Sequence, residues 1–416
     1  MRVRTMLVLG IAIREAFSFW TGHPFDFETW VRIGYWVPRG LSPYHALPPA
    51  PGVSFANDFD TQNTADIGYL PFWPLLLAGI YELYALVGFG DRFVYYFLIK
   101  QPIIVGDVLL AYLLFVYIER ERPGKGATAM ALWLFSPFTI ILSGIWGMFD
   151  STAMAAVMLA LLVAPGRARA AWEGAAIFVK SIPVLFLPPL AYARDRKLSN
   201  LLMAVAIPAL TTIAVVLLAG WPLGSFTATL GSTLGKGGIP LSLWGTWVYL
   251  NTLGVISNST FEAVFSWGAY LWVPAVVLAS LMSWRWFGFS SDRALVRSAL
   301  VATLTFLLLR GQVNEQYTVY LLAFLLLDAS LWNPGRMRLF YAVSVVIIAA
   351  TVTNNFLMVR FLSPVDPSAL QLENSLLTSL GGLRDAALYV EGVLFTALNL
   401  WYLYALVKER GARGLA

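Results

Sequence analysis

The chain has 416 residues, of which 59% are hydrophobic and only 12% are charged. A soluble domain carries about a quarter charged residues, so this composition excludes an ordinary soluble protein and predicts a polytopic membrane protein. The net charge of +5 lies in short basic clusters between apolar runs, which is typical of cytoplasmic loops and argues against nucleic acid as a partner. Cysteine is absent, which excludes disulfides and thiolate metal sites.

The basic clusters set the orientation of the predicted spans. Residues 1–20 are predicted to be a retained first span that starts in the cytoplasm, because Arg2 and Arg4 precede its apolar run. Further basic clusters occur at 119–125, 167–169, 194–197, 285–297, 336–338 and 408–413. They all face the cytoplasm if 21–68, 144–150, 220–265, 310–316 and 355–385 lie outside it. The expected fold is one all-α membrane domain over 1–416, with about twelve transmembrane or partly spanning helices and both termini cytoplasmic.

Two segments do not fit a simple alternation of spans. Segment 69–89 is apolar and long enough to span, but a span there would put the basic cluster at 119–125 on the wrong side. We therefore place it in the interface, so that 21–92 is one long external loop with interfacial helices and 93–416 holds the remaining spans. Segment 170–193 lies between two basic clusters, which predicts a hairpin of short or broken helices that turns near Lys180.

The first external loop begins with candidate catalytic residues. Asp26 and Glu28 stand two residues apart just after the first span, close to His23. Such a pair of carboxylates can supply a general base or bind a cation. The alternative is the start of an interfacial helix, with Asp26 as its N-cap and Glu28 in its first turn. The two interpretations are compatible, because a capping carboxylate is also held in a fixed orientation.

Ionisable side chains within the predicted spans form a second group of candidates, since charge at membrane depth is costly and usually functional. Arg14 lies in the outer half of the first span, where it either pairs locally with Glu15 or contacts substrate. Asp107 has no local partner in its span, so it either supports the site or bonds to a neighbouring helix. Lys180 lies in apolar surroundings at the hairpin turn, and we expect an anion such as a phosphate beside it.

A third group lies at the outer ends of later spans. Asp150 begins a helix there, and helix capping is the alternative to substrate contact. Lys236 lies in a glycine-rich loop, 231–238, whose amides and ammonium suit an anion, although such loops are common. Arg310, Glu315 and Gln316 belong to a tight polar turn between two apolar runs, and polar turns are also an ordinary feature of loops.

Together these candidates suit the transfer of a sugar from a lipid phosphate. A carboxylate would take the proton from an acceptor hydroxyl as that hydroxyl attacks the anomeric carbon. Cations would stabilise the negative charge that grows on the departing phosphate. Because phosphate is already a good leaving group, this chemistry requires no general acid.

The order and spacing of several short motifs resemble the GT-C glycosyltransferases, most closely the catalytic subunit of GPI mannosyltransferase I and related dolichyl-phosphate-mannose enzymes. The likeness begins at 26–44, where the motif Gly40–Tyr44 starts fourteen residues after Asp26. It continues through 68–71, the span around Asp107, 134–137, 147–151 and 178–183, and returns at 316–317. Roughly the first half of the chain is covered.

This resemblance implies an inverting transferase that moves a hexose, mannose in the relatives, from a polyprenyl- or dolichyl-phosphate to a lipid-linked or glycolipid acceptor. Transfer would take place on the extracytoplasmic or lumenal face, with Asp26 as the essential carboxylate. Relatives often have Asp-x-Asp; here the earlier position is Pro24, and Glu28 gives Asp-x-Glu instead. The resemblance further implies no metal or other cofactor, membrane lipids as surroundings, and room for a small membrane subunit as a partner.

Two other classes of protein remain as alternatives. A transporter or lipid flippase would also place charges and broken helices within the membrane, often with inverted repeats. No repeat is visible in this sequence, and the candidate groups cluster toward one surface. A membrane scaffold without catalytic activity would leave the charges at Asp107 and Lys180 unexplained.

Overall fold

The computed structural model describes residues 2–56, 68–192, 196–234, 239–268, 270–288 and 291–409, and most of these are helical. The first half of the chain contains α1 (Val3–Ser18), α2 (Asp26–Trp36), α3 (Phe72–Val87), α4 (Arg92–Glu121), α5 (Gly126–Leu134), α6 (Pro137–Ile140), α7 (Asp150–Leu162) and α8 (Arg167–Val179). Short 3₁₀ or π turns follow some of these helices, at Val37–Arg39, Ile141–Trp146, Ile182–Phe186 and Pro188–Tyr192.

The second half of the chain also consists mainly of helices joined by short turns. Its helices are α9 (Leu198–Leu218), α10 (Leu223–Leu234), α11 (Leu243–Thr252), α12 (Asn258–Gly268), α13 (Trp272–Phe287), α14 (Asp292–Leu309), α15 (Thr318–Leu331), α16 (Met337–Asn354) and α17 (Ser368–Lys408). 3₁₀ turns lie at Glu315–Tyr317, Pro334–Arg336 and Val359–Leu362. Two short strands, β1 (Ile239–Pro240) and β2 (Gln312–Val313), pair in parallel.

Several of the helices are suited to a lipid bilayer. Among the described residues, α4, α9, α16 with its preceding turn, and α17 are long and apolar enough to cross a membrane. Two further spans result if α5–α6 and α12–α13, which are bent by 53° and 45°, each count as one. These helices are those of an all-α integral membrane protein. By contrast, α3 has 16 residues and so a length of about 24 Å, less than the ~30 Å of a hydrocarbon core.

Helices α2 and α3 and the start of α7 meet in an aromatic cluster that positions the candidate site. The ring of Trp73 stacks on Phe149 with 4.2 Å between centroids, and Trp30 meets Phe149 edge-on at 5.6 Å. Helices α4 and α7 approach closely at Gly106, where a Cβ would lie 2.0 Å from Thr152 Oγ1. Small residues at such a crossing let two helix backbones pack tightly without help from the hydrophobic effect.

The expected break near Lys180 is confirmed. Helix α8 ends at Val179, Lys180 has extended backbone angles, and the 3₁₀ turn Ile182–Phe186 follows. Pro183 lies in the first turn of that 3₁₀ segment and has no amide hydrogen to continue α8. The hairpin predicted over 170–193 therefore consists of one short helix and two irregular turns, as far as residue 192.

Two segments that we expected to be loops are partly helical. Segment 355–385 becomes the start of α17 from Ser368 onward, and this 41-residue helix is about 60 Å long, twice the hydrocarbon thickness. Its polar first half contains no proline to end the helix. Residues 231–234 of the glycine-rich segment form the last turn of α10. Lys236 lies outside the described residues.

Candidate functional site

The turn between α1 and α2 is fixed by the ring of His23. Its Nδ1 atom accepts hydrogen bonds from the backbone amides of Phe25 and Asp26, both at 3.2 Å. These amides are among those that a helix N-terminus leaves without partners, so His23 performs the capping that we had considered for Asp26. Asp26 is the first residue of α2 and its side chain makes no capping bond. Its carboxylate is thus available for another role.

The Asp26 carboxylate lies in a largely apolar pocket with one strong donor. Trp146 Nε1 donates to Asp26 Oδ2 at 2.8 Å, and His23 Nδ1 lies 3.4 Å from the same oxygen. Burial raises the pKa of Asp26, while the Trp146 hydrogen bond and the charges of Lys180 and Arg360 oppose that rise. A carboxylate with a raised pKa is a stronger base than an ordinary aspartate.

Exposure separates Asp26 from the carboxylates around it. The side chain of Asp26 is 19% exposed, whereas those of Glu28 and Asp150 are fully buried and that of Glu373 is 3% exposed. Glu315 is also buried, at 1%. Of these five described carboxylates, Asp26 is therefore the most exposed.

Lys180 and Asp150 form a buried ion pair beside this pocket. Lys180 Nζ donates to Asp150 Oδ2 at 2.6 Å, and Asp150 is the first residue of α7. The ammonium also lies 4.9 Å from the ring centroid of Phe149 and 5.1 Å from that of Tyr69. Aromatic faces attract a cation, which helps to retain the charge of Lys180 in apolar surroundings. The anion that we expected beside Lys180 is, in this structure, the carboxylate of Asp150.

The turn between α14 and α15 brings Arg310, Glu315 and Tyr317 to the same place. The guanidinium of Arg310 lies 5.0 Å from the centroid of the Tyr317 ring, and Lys180 Nζ lies 5.6 Å from it. Asn354 Nδ2 donates to Glu315 Oε1 at 2.9 Å. Burial raises the pKa of Glu315 to about 7, against opposition from its hydrogen bonds. Glu315 thus stands close enough to Asp26 for the two carboxyl groups to interact electrostatically.

Gln316 belongs to this turn as well. Its side chain is buried, and Oε1 has no hydrogen-bond partner among the described residues. The structure therefore places Gln316 near the site without showing a ligand for it.

A strained turn lies between α16 and the 3₁₀ turn Val359–Leu362, close to His23. Phe356, Leu357 and Met358 have φ angles of 41°, 56° and 69°, in the left-handed region that favours glycine. Non-glycine residues in sparsely populated backbone regions cost on the order of 1–3 kcal/mol each, and such strain concentrates at functional sites. The turn carries Arg360, whose Nε donates to Glu373 Oε1 at 2.7 Å and whose Nη1 lies 3.3 Å from His23 Nε2.

Glu28 lies close to Asp26 in sequence but has a structural role. Arg32 Nε donates to Glu28 Oε1 at 2.6 Å, and the backbone amide of Phe55 donates to Oε2 at 3.0 Å. Arg32 also donates to the carbonyls of Leu47 and Ala56. Because both side chains are fully buried, this pair holds the first loop against α2 rather than presenting a second carboxylate to substrate.

Arg14 and Asp107 are paired with each other, not with Glu15 or with the pocket. Arg14 Nε donates to Asp107 Oδ2 at 2.7 Å, and both side chains are fully buried. Arg14 Nη1 donates to the carbonyl of Leu134, the last residue of α5. A backbone carbonyl freed by a helix break needs such a donor. Of the cations that we expected at one face, the structure gathers Lys180 and Arg310 around Tyr317 and assigns Arg14 to helix packing.

Sequence reasoning missed Lys100, Trp146 and Arg360. Lys100 is fully buried and donates to the backbone oxygens of Thr21 and Gly144 at 2.6 and 2.8 Å. These bonds connect the two chain segments that flank Asp26. A lysine in an apolar span was a visible signal for it. Trp146 resembled any interfacial tryptophan, and Arg360 any loop cation, so neither had a distinguishing pattern.

No model of a known protein family matches this chain, and none of the curated proteins does. The site must therefore be interpreted from its geometry. Within the described ranges, no three histidine, aspartate or glutamate side chains lie close enough together to hold a metal ion. These residues bring together one partly exposed carboxylate, two nearby cations and several aromatic rings.

Proposed function

We propose that this chain is a GT-C-type inverting glycosyltransferase that uses a polyprenyl-phosphate hexose, with mannose suggested by the sequence resemblance. The observation that carries the proposal is Asp26: a carboxylate with a raised pKa that remains reachable while its neighbours are buried in ion pairs or hydrogen bonds. In this proposal the membrane domain has about twelve spans, cytoplasmic termini, and the pocket at its extracytoplasmic face. The acceptor is a lipid-linked or glycolipid hydroxyl.

The proposed step balances without a further reactant. Asp26 takes the proton from the acceptor hydroxyl, whose oxygen forms a bond to the anomeric carbon of the donor sugar. The bond between that carbon and the phosphate oxygen breaks, and the electron pair leaves with the polyprenyl phosphate. Because attack and departure occur on opposite faces of the sugar, the anomeric configuration inverts.

The cations near Tyr317 would stabilise the leaving phosphate. Lys180 and Arg310 both lie within 6 Å of the Tyr317 ring centroid, so a phosphate there could contact either one. Charge-assisted hydrogen bonds in a pocket from which water is excluded stabilise developing negative charge strongly. Since Asp150 already shares Lys180, a phosphate at this place would compete with that carboxylate for the ammonium.

The direct test is Asp26→Asn in the full chain, assayed in proteoliposomes with polyprenyl-phosphate mannose and a synthetic glycolipid acceptor. We expect the transfer rate to fall by at least ~10²–10⁴-fold, because general-base catalysis is lost, with little change in thermal stability. Glu28→Gln is the matched control: it also neutralises a carboxylate in α2, but it leaves Arg32 buried without its partner and should destabilise the fold.

The pH dependence gives a second readout. Only the ionised form of Asp26 can act as a base, so the activity should decrease as pH falls through its raised pKa, at a higher pH than an ordinary aspartate would give. If the Asp26→Asn variant transfers sugar at the wild-type rate, Asp26 is not part of the mechanism.

One observation favours a transporter as the second candidate. Glu173 of α8 is fully buried, and neither of its carboxylate oxygens has a hydrogen-bond partner among the described residues. An isolated intramembrane carboxyl is a common feature of proton-coupled transporters. Proton-dependent flux of a lipid-phosphate sugar across proteoliposomes, without any glycosylated product, would favour this candidate over a transferase.

A further inference from the structure

The indole of Trp146 makes the two oxygens of the Asp26 carboxylate different from each other. Trp146 Nε1 donates to Oδ2 at 2.8 Å, and His23 Nδ1 lies 3.4 Å from the same oxygen. Burial keeps the pKa of His23 well below its usual range, and Nδ1 of the neutral ring accepts from two backbone amides, so it has no proton to donate. No described group donates to Oδ1. Oδ1 is therefore the oxygen with a lone pair for an incoming proton.

A π turn at the end of the broken α5–α6 segment directs the indole. The π turn Ile141–Trp146 ends at Trp146 itself, and the chain then leaves the helix at Gly147 with a φ of 90°. A π turn adds a residue to the helical turn, which changes the direction of the side chain at its end, and such turns often occur at functional sites. Trp30 Nε1 of α2 donates to the carbonyl of Gly147 at 3.1 Å. The segment that carries Trp146 is thus attached to the helix that begins with Asp26.

Lys100 attaches the same π turn to the chain before α2. Its buried ammonium donates to the carbonyl of Thr21, in the turn between α1 and α2, and to that of Gly144, in the π turn. The backbone amide of His23 donates to the carbonyl of Trp146 at 3.3 Å, and the two rings stack with 5.0 Å between centroids. The distance between the indole N–H and the start of α2 is therefore fixed before any substrate binds.

We propose that Trp146 is a positioning residue for the transfer reaction: its N–H holds Oδ2 of Asp26 so that Oδ1 receives the proton of the acceptor hydroxyl. The proposal rests on the proposed function. It also has an electrostatic consequence, because a hydrogen bond donated to a carboxylate favours the ionised form. Burial raises the pKa of Asp26, and the Trp146 bond opposes that rise, so that more of the protein carries an ionised base at a given pH.

Asp26 also interacts with titratable and charged groups on other elements, and a change at Trp146 alone leaves all of them in place. A shift in the titration of Asp26 in such a variant therefore reports the loss of the indole bond. These groups come from the first loop, from the starts of α3 and α7, from the end of α8, from the turn between α14 and α15, and from the 3₁₀ turn after α16. They are His23, Tyr69, Asp150, Lys180, Glu315 and Arg360.

The test is Trp146→Phe in the full chain, with kcat/KM for sugar transfer measured in proteoliposomes as a function of pH. Phenylalanine keeps an aromatic ring against His23 and removes the N–H. The pH at which activity is half lost on the acid side should rise by about one to two units, the size expected for a hydrogen bond to a charged group. A variant that had only lost stability would be slower at every pH, with the midpoint unchanged.

A second measurement does not depend on sugar transfer. A hydrophobic carbodiimide modifies carboxyl groups in their protonated form, and mass spectrometry of the digested protein gives the extent of modification at Asp26. This side chain is 19% exposed, which lets the reagent reach it. The midpoint of labelling against pH should rise in Trp146→Phe by the same one to two units, within about half a unit of the kinetic shift.

Two further variants separate the bond from packing. Benzothienylalanine, inserted at position 146 by codon suppression, has the shape of tryptophan with sulfur in place of the N–H, and it should give the same shift even if Trp146→Phe folds poorly. Trp133→Phe is the matched control, because Trp133 Nε1 also donates to a carboxylate, Oδ1 of Asp107, at 3.0 Å. It should lower stability and leave both midpoints of Asp26 unchanged.

Three results would overturn the proposal. If Trp146→Phe and the sulfur analogue both keep the wild-type midpoints, Trp146 does not position Asp26, and the proposed function stands. If Trp133→Phe shifts the midpoints equally, the shift comes from a loosened fold and not from the indole bond. If the wild type transfers no hexose from any polyprenyl phosphate, the proposed function is wrong and the role of Trp146 in transfer is wrong with it.

Discussion

The buried pair of Arg14 and Asp107 provides the sharpest test of which charges hold the fold and which act on substrate. Asp107→Asn changes one oxygen to an amide nitrogen with almost no change in volume. In the native chain Asp107 Oδ1 accepts from Trp133 Nε1 at 3.0 Å, and Oδ2 accepts from Arg14 Nε and from Ser143 Oγ at 2.7 and 3.1 Å. Both oxygens are used only as acceptors.

Asparagine cannot satisfy this arrangement in either orientation. One orientation turns its NH₂ group toward Trp133, and the other turns it toward Arg14 and Ser143, so two donors meet in both. The variant also leaves the fully buried Arg14 without a counter-charge. Removal of one partner from a buried ion pair costs about 3–5 kcal/mol. We expect a loss of unfolding free energy of that size for Asp107→Asn.

The assay is equilibrium or thermal unfolding of the purified full chain in detergent, together with sugar transfer measured below the unfolding transition. Asp26→Asn is the matched control, because it makes the same chemical change at a side chain that is 19% exposed and should leave stability nearly unchanged. The double variant Arg14→Met/Asp107→Leu should recover part of the lost stability, since it removes the uncompensated charge. An Asp107→Asn protein with native stability but no transfer activity would refute this reasoning and return Asp107 to the site.

Two further predictions concern the pocket. Glu315→Gln should remove a loss of unfolding free energy that depends on pH. The pKa of Glu315 is about 7 in the native state, against an ordinary 4.5. Between these two pH values the native state therefore binds more protons than the unfolded state. Stability from this group should therefore fall by on the order of 3 kcal/mol as pH rises from about 4.5 to 7, and unfolding curves of the variant should lack that slope. The double variant Asp150→Asn/Lys180→Gln removes the buried pair without leaving a lone charge, and should raise the KM for the polyprenyl-phosphate donor at least about tenfold. An unchanged KM in initial-rate measurements would exclude Lys180 as a phosphate ligand.

The composition and the proline positions account for much of the fold. The excess of apolar residues predicts helices, because a backbone in lipid must satisfy its own hydrogen bonds. Pro137 and Pro183 lie where helices break, since proline cannot donate to the preceding turn. The length of α17 was not predictable in this way. Its polar first half resembles a loop in composition, yet nothing in it prevents a helix that continues beyond the membrane.

The partners of the charged residues could not be predicted from the sequence. Arg14 and Asp107 are 93 residues apart, and Arg360 and His23 are 337 residues apart. Sequence patterns detect partners within one or two helical turns, so they identify a pair such as Glu28 and Arg32, which are four residues apart. Asp26 could be chosen as a candidate because its position after the first span and its motif spacing can be read without the fold.

The charged residues near Asp26 are held in ion pairs, whereas Asp26 itself is not. In apolar surroundings a charge is retained most easily beside an opposite charge, and the pairs near Asp26 follow that rule: Arg32–Glu28, Lys180–Asp150 and Arg360–Glu373. An adjacent cation stabilises a carboxylate and lowers its affinity for a proton. Asp26 has no cation in direct contact among the described residues; it has instead the indole N–H of Trp146 and the ring of His23. Burial raises the pKa of Asp26, and neither the Trp146 hydrogen bond nor the charges of Lys180 and Arg360 offset that rise, so this carboxylate is a stronger base than an exposed aspartate.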